Sequence, residues 1–261
     1  MGAKPSVVSE AIINIKKKKM DLERFQQQVV NGQVERSRWE TGVAFPALMR
    51  KVYVWMTLAL VITGFTAWGV AHSPGILSMI VNNQLIFWGL CIAELALVWG
   101  VSAAINRLSL ATATLLFILY SVINGVTLSF IFLAFTQESI TSVFFITAAT
   151  FGAMAAYGYF TKSDLSSWGK ILFMALIGII IATIVNIFLN SSMLNMIVSY
   201  AGVLIFVGLT AYDTQKIKER LSMADSADET AQKIALMGAL SLYLDFINLF
   251  IYLLRIFGSR D

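Results

Sequence analysis

The chain has 261 residues, of which 58% are hydrophobic and only 13% charged, with a net charge of +4 and a mean hydropathy of +0.76. A soluble domain carries about a quarter of its residues as charges, so this composition excludes an ordinary soluble fold and points to an all-α polytopic membrane protein. A modest positive balance in such a chain reports orientation and contact with anionic lipid, and no nucleic-acid partner is expected.

Residues 1–50 form the first unit, a basic and polar cytoplasmic tail. Ten Lys and Arg fall within the first 51 residues, four of them in the run Lys16 to Lys19. Val8, Ile12 and Ile15 stand at helical spacing, so the tail is either disordered or holds a short surface helix. Gly2 and Ser6 fit the loose N-myristoylation pattern. No cleavable signal peptide is expected, because the region lacks an apolar core segment.

Residues 51–258 form the membrane unit. A spanning helix needs roughly 20 mostly apolar residues, and seven segments qualify: 52–72, 84–105, 110–135, 140–160, 170–190, 193–214 and 232–257. Turn formers separate them, as in Ser73-Pro74-Gly75, Thr136-Gln137-Glu138-Ser139 and Asn190-Ser191-Ser192. Basic residues occupy every second connection: Arg107, then Lys162 and Lys170, then Lys216, Lys218, Arg220 and Lys233. That alternation predicts a cytoplasmic N-terminus. Seven passes place the C-terminus outside, whereas a re-entrant last segment would leave it inside.

Lone residues carry little chemistry. Cys91 has no partner cysteine, which excludes a disulfide framework and a cysteine zinc site. His72, beside Ser73 and Pro74, reads as an interfacial loop residue because the chain holds no second histidine. The chain contains no GxxxxGK[ST], HExxH or GxSxG, so neither nucleotide-driven pumping nor hydrolysis is supported, and the protein is not expected to be an enzyme.

The seventh span is the informative one. Gly238, Ser241, Asp245, Asn248, Tyr252 and Arg255 follow one another at intervals of 3, 4, 3, 4 and 3 residues. This is one face of an α-helix. Polar groups inside hydrocarbon need partners, so the stripe must face the protein interior or a water-filled cavity. A charged Asp245 there costs about 2.5–3.5 kcal/mol on insertion scales. It is therefore protonated, paired or bound to a cation. Arg255 is about 15 Å away along the helix axis and too distant to pair with it.

Asp213, near the end of the sixth span, is the candidate partner. Two carboxylates on consecutive antiparallel helices can hold one proton between them or release it and attract a cation. Asp213 looks closer to the membrane edge than Asp245. The two meet only if the sixth helix runs on to about residue 220, with 221–230 as the true loop, or if the seventh starts nearer residue 238.

The segments "GLTAYDTQKIK" (208–218) and "ALSLYLDFINLFIYLLRIFG" (239–258) resemble the two signatures of the Bax inhibitor-1 family, and the resemblance covers about residues 45–258. It implies seven transmembrane helices with the last enclosed by the other six. It further implies a pH-sensitive calcium leak channel or proton-coupled calcium exchanger, whose paired aspartates fall on Asp213 and Asp245. An arginine latch on the first aspartate falls on Arg107, which stands somewhat further along than the family's spacing. Bacterial members are linked to a membrane-embedded AAA protease, so a non-conducting regulator of such a partner is the alternative. The compact core and short outer loops favour a bacterial inner membrane over a eukaryotic organelle.

Glu94 is the third carboxylate inside a span and is expected to line a cation pathway with Asn124 and Asn248. Asn186 could line the same cavity, although amides in spans, Asn124 and Asn186 alike, more often bond helix to helix. Asp213, Asp245 and Glu94 are the candidate ligands. They suit calcium, a hard cation that takes oxygen ligands. No resident cofactor is expected; calcium ions and protons would be the cargo, and the lipid bilayer the medium. A membrane aspartyl protease would need a Gly-x-Gly-Asp turn, and neither "TAYDTQ" nor "LYLDFI" contains one.

Overall fold

The computed structural model describes residues 44–224 and 226–260, together with Glu23, Gln26 and Gln27. The tail reading for residues 1–43, with its surface helix and Gly2–Ser6 pattern, therefore lies outside the described residues. Residues 44–50 already belong to the first helix.

Among the described residues the structure is entirely helical. The elements are α1 (Ala44–Ala71), α2 (Pro74–Val81), α3 (Gln84–Ala104), α4 (Leu110–Leu128), α5 (Ile131–Ala134), α6 (Gln137–Phe160), α7 (Ser166–Leu189), α8 (Ser192–Ser222) and α9 (Glu229–Phe257). Seven stretches are long and apolar enough to cross a membrane, with α4 and α5 forming one of them. Their outer faces are fatty: Leu85, Trp99 and Phe188 are each at least 80% exposed. In water such a surface would be untenable, and in hydrocarbon it is the normal one.

The turn residues become helix caps. The Asn83 side chain accepts from the Leu85 and Ile86 amides. Ser109, Thr136, Ser191 and Asp228 accept from the amides of Thr112, Ser139, Leu194 and Ala231. Each satisfies a first-turn N–H that has no helical partner. Asn190 ends α7 in the left-handed conformation, at φ 48°, which asparagine tolerates better than most residues.

Hydrogen bonds sort the connections onto two faces. On the basic face, Lys51 donates to Gln232 (2.9 Å) and the Leu110 amide donates to Glu229 (3.0 Å). Gln215 donates to Ser163 O (2.8 Å) and Lys218 to Tyr159 O (2.6 Å). On the opposite face, the Thr136 amide donates to Ser259 O at 3.1 Å and the Ser259 amide to Ser139 Oγ at 3.0 Å. The two ends of α9 thus lie on opposite faces, and its 29 residues form one unbroken pass with no re-entrant turn.

α9 is the core of the bundle. In its most apolar window 67% of residues are buried, against 39% or less in every other span. Leu242, Tyr243 and Leu249 are fully buried. Direct packing reaches α9 from α4, α6 and α8, and a hydrogen bond ties it to α1. α3 leans on α4, and α7 on α8. Two close approaches set the α8–α9 register. A Cβ at Gly238 would come within 3.0 Å of Ile217, and one at Gly202 within 2.6 Å of the Tyr252 ring. α6 is held as tightly to α8: a Cβ at Gly158 would run into the backbone of Ala211.

Candidate functional site

The α8–α9 register determines how the two aspartates meet. Ile217 lies opposite Gly238 and Gly202 opposite Tyr252, so in this antiparallel pair Asp213 stands level with residues 241–242. Asp245 is then three to four residues further along α9, an axial offset of about 5 Å at 1.5 Å per residue. The condition set from the sequence is met, because α8 continues to Ser222 and carries Asp213 within the packed helix pair. The charge that bears on Asp245 is that of Asp213. The cations that bear on Asp213 are Lys216 and Arg220 of its own helix.

Asp245 is 5% exposed, and its Oδ2 has no hydrogen-bond partner. Thr214 Oγ1, one residue after Asp213, is likewise buried without a partner. A buried polar atom normally has a partner, so this pocket holds unused acceptor capacity. The polar stripe on α9 lies toward α8 but, contrary to the expectation from the sequence, is not buried along its whole length: Gly238 and Asp245 are buried, Ser241, Asn248 and Tyr252 are half-buried, and Arg255 is exposed. Gly238 meets Ile217, and Tyr252 stacks on Phe206 with ring centroids 5.8 Å apart.

A second polar centre occupies another side of α9. The Tyr243 hydroxyl donates to Asn124 Oδ1 at 2.8 Å. With the Tyr243 proton committed there, the single Thr63 hydroxyl proton has two acceptors to divide itself between, the Tyr243 oxygen at 2.7 Å and Ser121 O at 2.9 Å. Thr127 Oγ1 donates to Glu94 Oε1 at 2.6 Å. Thr63, Tyr243 and Asn124 thereby link α1, α9 and α4, and Thr127 ties Glu94 of α3 to α4. Edges of Phe117 and Tyr120, each with its centroid 5.8 Å from the Tyr243 ring, pack around it.

The sequence-predicted residues are therefore divided between two centres. Asp213 and Asp245 form one, and Glu94 and Asn124 belong to the other. Asn248 joins neither network and donates back to Leu244 O of its own helix at 2.8 Å. Asn186 accepts from the Ser191 amide at 3.0 Å and closes the α7–α8 turn. Arg107 is exposed in the turn after α3 and is not brought to Asp213; among the described residues it is in no ion pair. Among the described residues no three His, Cys, Asp or Glu side chains converge as a metal site, so Glu94 does not complete a ligand set with the aspartates. Tyr243, Thr63 and Thr127 were missed. The available signal was a tyrosine among leucines in the most polar span, together with hydroxyls at mid-depth in two others.

Comparison with known proteins decides the family. The family profile described as "Inhibitor of apoptosis-promoting Bax1" matches residues 46–261. The chain belongs to the Bax inhibitor-1 family. The inner membrane protein YbhL of Escherichia coli K12 is 52% identical over 213 residues, covering 81% of this chain and 91% of that protein. An uncharacterized protein of Borreliella burgdorferi is 45% identical over 212 residues, covering 81% of this chain and 91% of its own length. One from Deinococcus radiodurans is 38% identical over 213 residues, covering 82% and 90%. This Bax inhibitor-1 family protein is an integral membrane protein, and both polar centres lie within the matched residues.

Proposed function

We propose that the protein is a passive calcium leak pathway in a bacterial inner membrane, with a cytoplasmic N-terminus and the Asp213–Asp245 pair as its proton-sensitive gate. The observation that carries the reading is the buried, unpartnered Oδ2 of Asp245 beside a second carboxylate. A carboxylate held only for structure would have its buried oxygens paired, as Oε1 of Glu94 is with Thr127. A pair with spare oxygen atoms exchanges a proton for a hard cation. Loss of the proton makes the pair negative and attractive to calcium; protonation at low pH neutralises it. Flux should therefore rise with pH. Lys216 and Arg220 beside Asp213 supply the counter-charge that keeps the empty, ionised pair tolerable. The inner-membrane location follows the name of the Escherichia coli relative, and the orientation follows the basic connections.

The test is calcium entry into dye-loaded proteoliposomes between pH 5 and 8, with wild type beside Asp213→Asn and Asp245→Asn. The expected result is a flux that rises with pH and that either substitution makes flat. Flux no greater than that of protein-free liposomes, from folded protein, would refute the conduit.

A further inference from the structure

α1 and α6 do not close against each other along their whole length. Near the basic face a cleft of about 560 Å³ opens between them. Its walls are Met49, Arg50, Tyr53 and Met56 of α1 and Phe151, Gly152, Ala155, Ala156 and Tyr159 of α6, among others. Arg50 is exposed at its mouth and, among the described residues, is in no ion pair. The Lys218 ammonium lies 5.2 Å from the centre of the Tyr159 ring at the same end. A Cβ at Gly152 would meet nothing within 4 Å, so the space is open where that glycine faces it. From Pro46 to Met56 the cleft rises about 15 Å, which is half of a hydrocarbon core about 30 Å thick.

We propose that this cleft seats one anionic phospholipid of the leaflet on the basic face, its phosphate at Arg50 and one acyl chain along Met56, Gly152 and Ala156. The lining is apolar except at the mouth, and its height matches one leaflet. A cationic side chain stands where the phosphate of such a lipid lies. The seat adjoins the aspartate pair from two sides. Phe151, in its wall, packs on Phe246 with ring centroids 5.5 Å apart, next in sequence to Asp245. Tyr53 approaches Thr214, next to Asp213. A lipid here braces α1 and α6 around the pair, and the proposal holds whether or not the pair conducts calcium.

Native mass spectrometry of the full chain tests it, after delipidation in detergent and titration with dioleoyl phosphatidylglycerol or dioleoyl phosphatidylcholine. One phosphatidylglycerol should be retained with about fivefold preference over phosphatidylcholine, the worth of one basic residue near the surface. Arg50→Gln should abolish the preference, while Lys170→Gln, an exposed basic residue at the start of α7, should leave it intact. Gly152→Phe, growing into open space, should reduce retention of both lipids; Ala156→Phe makes the same test if that variant does not fold. Equal retention of the two lipids by wild type, or a preference that survives Arg50→Gln, would overturn the headgroup site. Retention unchanged in a folded cleft-filling variant would overturn the seat.

Discussion

Two sides of α9 treat a buried polar group in opposite ways. Toward α1, α3 and α4, the Tyr243 hydroxyl donates to Asn124 and meets the Thr63 hydroxyl, and Glu94 accepts from Thr127. Toward α8, Asp245 keeps an oxygen with no partner at all. The first arrangement ties four helices into one geometry. The second leaves capacity for a proton or a cation at the cost of some stability. In one helix, the bonded side acts as scaffold and the side with the unpartnered oxygen as the candidate switch.

That contrast predicts opposite responses to removing polarity. Tyr243→Phe deletes the hydroxyl and strands Asn124 Oδ1 in the interior, while Thr63 keeps Ser121 O as its acceptor. It should destabilise the protein by about 1–2 kcal/mol, read as a lower thermal midpoint in detergent. An unchanged midpoint would mean that the network is decorative. Asp245→Asn removes a buried charge that has no partner on Oδ2, so stability should hold or rise, by up to about 1 kcal/mol. A fall as large as that of Tyr243→Phe would show that Asp245 is structural and would erase the distinction. Arg107→Ala should do least. The residue is exposed and outside both centres, so the midpoint should move by less than about 0.5 kcal/mol. The pH profile of calcium entry should keep its wild-type shape. A flattened profile would reinstate Arg107 as the latch.

The candidate site was half legible before the structure. Asp245 and Asp213 are conspicuous because a carboxylate inside an apolar run is costly wherever the run ends up. The stripe from Gly238 to Arg255 was readable as one face because helical periodicity is fixed by local backbone geometry. Tyr243 was not, since a tyrosine is unremarkable in an apolar helix until a threonine and an asparagine from other helices reach its hydroxyl. Grouping Glu94 and Asn248 with the aspartates assumed a single polar interior, whereas α9 separates Glu94 from the pair and Asn248 bonds its own backbone.

The sequence by itself determined seven spans, the turns between them and the alternation of basic connections, because hydropathy, turn chemistry and charge act over a few residues. The helices begin earlier than expected at α1, α6, α7 and α9, and α8 ends later, at Ser222; the remaining ends agree within a residue. Only the tertiary structure decided the register of α8 against α9, which puts Asp213 about 5 Å from level with Asp245. It also decided the sorting of polar residues into two centres and the opening between α1 and α6. These depend on which small residues meet which neighbours, such as Gly158 on Ala211 and Gly238 on Ile217. Such meetings are set by packing between distant parts of the chain, on which a local pattern is silent.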